Sequence, residues 1–190
     1  MAEPMKREVL AEGKYLRLVR QGRWEHVERT NCSHAVVIAG VTVRNEVIFV
    51  EQWREPMKCA VIEFPAGLVG DVAGTESESY LIAAERELME ETGFRAGYLQ
   101  IVAEGPISPG LSTETIVLIL GTALEKKEKG GGDDTERITV HAVPFNRVEA
   151  FLNLMKAQGR MIDPKVYSGL FFIRQEADAT SHKSWPGRRT

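Results

Sequence analysis

The sequence predicts an α/β or α+β protein with a mixed sheet, preceded by a small antiparallel β hairpin region. Three observations carry this. Short apolar or alternating runs suited to strands recur from Tyr15 to Val143. One amphipathic helix interrupts them, running from a Gly-rich loop to Gly93. Two further helical patterns close the chain, so strands and helices interleave.

The elements follow in order. Tyr15–Val19 and Trp24–Glu28 alternate apolar and polar residues around Gln21-Gly22, the pattern of a hairpin. Such a piece is barely stable alone and must pack on the main domain or on a second copy of the chain. From His34 the main domain begins. Ala35–Val43 is a buried-strand run, Arg44-Asn45 a turn, and Val47–Val50 the next strand. Ala60–Phe64 is a short strand stopped by Pro65, and Gly67–Gly74 a Gly-rich loop. Thr75–Thr92 reads as helix: Thr75 and Glu78 have capping-box spacing, and Leu81, Ala84, Leu88 and Met89 form the apolar stripe. Strands follow at Leu99–Ala103 and Ile116–Leu120. Glu125–Thr135 is polar with three successive glycines, which predicts a mobile loop, and Ile138–Val143 returns to strand. Helices are expected at Arg147–Gln158 and from Pro164, with Asp163 as cap. The stretch 176–190 is polar and reads as a loose tail.

Composition narrows the function classes. The 190 residues, 43% hydrophobic and 27% charged, suit one domain with a small appendage. A net charge of −3 disfavours a nucleic-acid binder. No apolar run approaches the roughly 18 residues of a membrane span, and the first residues lack the apolar core of a secretory signal. Cys32 and Cys59 form neither a metal-ligand spacing nor a disulfide framework, so a cytoplasmic setting is expected.

The chemistry is concentrated in Glu85-Arg86-Glu87-Leu88-Met89-Glu90-Glu91. Glu87, Glu90 and Glu91 are three and four apart and project from neighbouring points of one helix. Like charges at this spacing repel by about 0.2–0.5 kcal/mol per pair. A solvated acidic face is one reading. A site for a hard cation such as Mg²⁺, which would turn the repulsion into coordination, is the other.

Glu78, seven residues, then Arg86-Glu87-Leu88-Met89-Glu90-Glu91-Thr92-Gly93-Phe94 resembles the Nudix box, Gly-x5-Glu-x7-Arg-Glu-apolar-x-Glu-Glu-x-Gly-apolar. One position departs. Val72 stands where the box glycine belongs, and Gly67 is the best substitute, which implies a five-residue insertion in the loop. The resemblance implies an α/β/α sandwich over 34–175. It implies Glu87 and Glu91 as main ligands of Mg²⁺ (or Mn²⁺), Glu90 as an additional or water-mediated ligand, and the Ala66 carbonyl as a further one. Arg86 would orient the glutamates, and Glu78 would be a cap, with a direct catalytic role as the alternative.

Other segments resemble the ADP-ribose pyrophosphatase branch of that family. Ser108-Pro109-Gly110-Leu111-Ser112-Thr113-Glu114 matches its Ser-Pro-Gly-x-Ser-x-Glu stretch, with Pro109 15 residues beyond Phe94. Glu51-Gln52-Trp53-Arg54-Glu55-Pro56 matches its Glu-Gln-aromatic-Arg-x-Pro strand end. The N-terminal Glu12-Gly13-Lys14-Tyr15 and Arg23–Thr30 are similar to segments of ADP-sugar pyrophosphatases. The resemblance implies hydrolysis of a nucleoside diphosphate sugar and a homodimer in which residues 1–33 are exchanged. Tyr15 and Trp24, from two subunits, would sandwich the base. Arg29, Arg54 and Glu114 would contact substrate. Glu136 would be the general base, with Asp134 as the alternative or as a further metal ligand. The competing readings are a Nudix enzyme for a different nucleoside diphosphate derivative and a nucleotide-sensing module without catalysis. The intact glutamates speak against the latter.

Overall fold

The computed structural model describes residues 6–32, 34–71, 74, 77–132 and 137–183. An N-terminal sheet of three antiparallel strands comprises β1 (Arg7–Glu12), β2 (Leu16–Gln21) and β3 (Trp24–Arg29), in the order β1-β2-β3. The β2–β3 hairpin turns at Gly22, whose φ of 61° suits glycine. The sequence pattern missed β1. Its pairing with β2 slips between Val9 and Ala11, and a bulge of this kind destroys the period-two alternation by which a strand is read.

The main sheet contains β4 (His34–Thr42), β5 (Glu46–Arg54), β6 (Cys59–Glu63), β7 (Ala66–Leu68), β8 (Phe94–Arg95), β9 (Tyr98–Pro106), β10 (Thr115–Lys126), β11 (Ile138–Pro144) and β12 (Met161–Ile162). Its main path is β12-β6-β5-β4-β10-β8, with β11 on β5, β7 on β4 and β9 on β10. β4 and β10 are parallel, as are β6 and β12, and the remaining pairs are antiparallel, so the sheet is mixed.

Both faces are covered, which explains why β4 reads as a continuous apolar run rather than an alternating one. Val36 and Ile38 pack with Ala83, Ala84 and Leu88 of α1 (Tyr80–Thr92). Val37 and Ala39 pack on the other face with Val148, Leu152, Val166 and Leu170 of α2 (Val148–Ala157) and α3 (Pro164–Lys183). The result is the expected α/β/α sandwich. None of the described helices is long and apolar enough to cross a membrane.

Three local expectations are corrected. α1 begins at Tyr80, not at Thr75, and Ser79 caps it by accepting the Ile82 N–H (3.4 Å). Thr75 lies outside the described residues. The loop expected from Glu125 begins later, because β10 continues to Lys126, and its described part is hydrogen-bonded to the end of α1. Lys127 N–H donates to the Gly93 carbonyl (2.8 Å), Gly131 N–H to that of Glu91 (2.8 Å) and Gly132 N–H to that of Glu90 (3.1 Å), using carbonyls that a helix C-terminus leaves free. Finally, α3 runs to Lys183, so residues 176–183 are helical and not a loose tail.

Candidate active site

A cleft of about 360 Å³ opens where β4, β7, α1 and the N-terminal sheet meet. Its floor holds Ala66, Gly67, Glu87 and Glu91, and its walls carry Arg29, Arg54, Glu63, Glu114 and Lys165. A larger cavity of about 560 Å³ lies at the other end of β4, among Val41, Val43, Leu120, Phe145 and Ile173. Its one charged lining residue among those described is Glu176, whereas the smaller cleft gathers carboxylates and cations.

Helical spacing brings the acids to the cleft, and contacts with β7 seat them there. Glu91 is 5% exposed, and its Oε2 accepts the Ala66 N–H (3.1 Å). Glu87 lies flat over Gly67: a Cβ built at that glycine would fall inside the Glu87 carboxyl group. Arg86 ties the array together. Its guanidinium donates to Glu87 (2.7 Å), Glu78 (3.0 Å), Glu90 (3.4 Å) and the Leu68 carbonyl (3.3 Å). Glu78 also accepts the Gly70 N–H (3.1 Å), so it pins the glycine loop and does not cap α1. Glu90 is more peripheral, with its side chain 56% exposed.

Burial pushes the Glu87 carboxyl up to about 7, with the charges of Glu90 and Asp71 adding and Arg86 opposing. Among the described residues, no three His, Cys, Asp or Glu side chains converge closely enough to close a metal shell. The donor chemistry nonetheless fits a hard divalent cation. Two carboxylates share a half-buried cleft, one of them sits against a glycine that leaves it room, and ions such as Mg²⁺ complete their shells with water and phosphate.

A stability prediction follows from Glu87. Its folded value lies above the ordinary 4.5, so between pH 4.5 and 7 the folded state holds more protons than the unfolded one. Stability is then fully present below 4.5 and lost as pH rises through 7, by about 3 kcal/mol at most. Thermal melts in EDTA should show this decline for the wild type and a weaker one for Glu87→Gln. Identical pH profiles for the two proteins would contradict it.

The walls are built from cation–carboxylate pairs. Arg29 reaches the cleft because β3 docks on the Ser-Pro-Gly turn: Val27 N–H donates to the Leu111 carbonyl (2.8 Å), and Thr113 N–H donates to that of Val27 (3.1 Å). Arg29 then ion-pairs with Glu114. Arg54 Nε donates to Glu63 Oε2 (2.7 Å) across β5 and β6. Lys165 pairs with Asp163.

Of the residues expected from sequence, Ala66, Glu87, Glu91, Arg29, Arg54 and Glu114 thus share one cleft. Asp134 and Glu136 lie outside the described residues, between Gly132, fastened to α1, and Arg137. Tyr15 and Trp24 are 58% and 52% exposed, so neither is a core residue. Trp24 lines a separate pocket of about 250 Å³ with His26, Pro109 and Ser112. The two aromatics stand at opposite ends of the β2–β3 hairpin, roughly 20 Å apart at strand rise. One chain therefore cannot close both around one base. Glu63, Asp71 and Lys165 were not anticipated. Nothing in their local sequence marks them, because the packing of β6, the glycine loop and α3 brings them to the cleft.

Residues 33–166 match the NUDIX domain family, well over half of the chain. The chain is a Nudix hydrolase. A methanol dehydrogenase activator of Bacillus methanolicus is 30% identical over 149 residues, covering 78% of this chain and 76% of the relative. An ADP-sugar pyrophosphatase of Mus musculus is 31% identical over 186 residues, covering 85% and 82%. A crystal structure of an ADP compounds hydrolase superposes with a TM-score of 0.70, covering 94% of this chain and 95% of its own. At 19% identity that likeness establishes the shared Nudix fold. Within the family the chain groups with the ADP-ribose and ADP-sugar pyrophosphatases, and Nudix hydrolases work with divalent metals.

Proposed function

We propose that the protein hydrolyses the pyrophosphate bond of ADP-ribose or a related nucleoside diphosphate sugar, with Mg²⁺ at Glu87 and Glu91 and Mn²⁺ as a substitute. The observation that carries this is the cleft itself, where the buried Glu91 and the half-buried Glu87 share one lining with Arg29 and Arg54. The Ser-Pro-Gly stretch and the mouse ADP-sugar pyrophosphatase support the substrate class.

Glu87 and Glu91 would hold the ion, with Glu90 or the Ala66 carbonyl adding to its shell. Bound there, the ion would supply charge neutralisation at phosphate oxygens and would make water a better nucleophile. Arg29 and Arg54, permanently charged and forked, exchange Glu114 and Glu63 for phosphate oxygens and hold the diphosphate in line. Glu136 takes the proton of the attacking water, with Asp134 the alternative base. A larger loss of kcat in Glu136→Gln than in Asp134→Asn checks this order, and the reverse order contradicts it. For ADP-ribose the products are AMP and ribose 5-phosphate, one water being consumed.

Tyr15 of one subunit and Trp24 of another would stack on the base, worth about 1–3 kcal/mol per stack. Their separation within one chain supports a homodimer. Light scattering should give twice the chain mass, and a stable monomer contradicts the shared sandwich. Cys32 and Cys59 are free, which supports a cytoplasmic setting. The test of the substrate is phosphatase-coupled phosphate release from a panel of nucleoside diphosphate sugars with Mg²⁺. Turnover with ADP-ribose ranking high supports the assignment. Tight binding of ADP-ribose without turnover of any member makes the protein a sensor instead.

A further inference from the structure

Among the described cations of the cleft, Arg29 and Arg54 have a task in the reading above and Lys165 has none. Lys165 lies in the first turn of α3, with its side chain 22% exposed, and it lines the same cleft as Glu87 and Glu91. Asp163 organises it with both carboxylate oxygens. Oδ1 accepts the Lys165 backbone N–H (2.7 Å), and Oδ2 takes the Lys165 ammonium. Asp163 is itself anchored to the sheet, where its N–H donates to the Ile62 carbonyl (3.0 Å). The next residue of β6 is Glu63, the partner of Arg54. Lys165 and Arg54 therefore stand on one wall, built from β5, β6 and α3. Arg29 stands on the wall contributed by the N-terminal sheet, which also bears Trp24 and Tyr15.

This arrangement gives the cleft a direction. A nucleotide whose base is held by aromatics of the N-terminal sheet enters on the Arg29 side. Its other half, the distal phosphoryl group and the sugar it carries, extends toward Arg54 and Lys165. A lysine suits that end. Its long stem lets the ammonium swing from Asp163 to a phosphate oxygen, and it does so as a point charge tolerant of different sugars.

Resting on the functional reading above, we propose that Lys165, held ready by Asp163, binds the distal phosphoryl group of the substrate and so retains the sugar phosphate half rather than the nucleotide half. Lys165 is a binding residue and Asp163 a positioning residue.

The test compares wild type, Lys165→Met and Lys165→Arg in ADP-ribose hydrolysis with Mg²⁺, using product inhibition by ribose 5-phosphate and by AMP. Calorimetric binding of ribose 5-phosphate is the second readout. The methionine variant keeps the stem and removes the charge. It should weaken ribose 5-phosphate inhibition and binding about tenfold and change AMP inhibition less than about twofold, with the arginine variant restoring most of the loss. Equal weakening for both products, or none for either, overturns the assignment. A lowered melting temperature with unchanged ribose 5-phosphate binding also overturns it, leaving the Asp163–Lys165 pair as a helix-start brace. A wild type that cleaves no nucleoside diphosphate sugar overturns the functional reading and this inference with it. A wild type that cleaves them, with Lys165→Met unchanged, overturns this inference alone.

Discussion

Glu91→Gln is expected to lower kcat by about three orders of magnitude at saturating substrate and Mg²⁺, because a metal site supplies several kcal/mol of transition-state stabilisation. The substitution is nearly isosteric. A glutamine oxygen can still accept the Ala66 N–H that Glu91 Oε2 takes at 3.1 Å, so the seat on β7 survives. What disappears is the negative charge of a side chain that is 5% exposed. Loss of turnover together with a weakened response to added Mg²⁺ is the result a metal ligand predicts. Activity within about tenfold of wild type would place the metal elsewhere.

Gly67→Ala is expected to lower kcat/KM by about 100-fold, the scale of a misplacement near 1 Å at a reacting centre. The added methyl would occupy the space of the Glu87 carboxyl group, which must then leave its place on the cleft floor. The backbone gives no reason for instability. Gly67 lies in β7, paired opposite Val36 of β4, and its φ is not left-handed. The effect should pass entirely through Glu87, so in a Glu87→Ala background the Gly67→Ala change should cost little further. Kinetics of the four proteins of this cycle, with Mg²⁺ varied, measure the coupling. Additive losses would show that the glycine serves the loop path and not the carboxylate.

The acidic array was legible in the sequence because a helix maps residues three and four apart onto one face, whatever surrounds it. The start of that helix was not. Thr75, Ser77 and Ser79 all offer a capping hydroxyl within five positions, and local pattern favoured Thr75 with Glu78. Tertiary contacts decided otherwise. Arg86 and the Gly70 N–H draw Glu78 away, and the cap falls to Ser79. The longer strands of the main sheet were legible by their apolar runs, whereas the two- and three-residue strands β7, β8 and β12 are too short to show a pattern and β1 was hidden by its bulge. The glycine-rich loop looked mobile because glycine carries no packing information. Its attachment to Glu90 and Glu91 uses backbone groups that no side-chain pattern records. Lys165 and Asp71 reach the cleft through long-range packing, to which residue spacing is blind.

The attachment of that loop matters for function. The C-terminal carbonyls of α1 hold Gly131 and Gly132, so the helix that carries Glu87 and Glu91 also anchors the segment leading to Asp134 and Glu136.

The most direct measurement is a ³¹P NMR time course of ADP-ribose with the purified protein, with Mg²⁺ and with EDTA. The expected result is replacement of the two diphosphate resonances by two monoester resonances, those of AMP and ribose 5-phosphate, in the Mg²⁺ sample alone. Diphosphate resonances that persist while the ligand binds, or turnover that proceeds equally in EDTA, would contradict metal-assisted cleavage at the Glu87–Glu91 cleft.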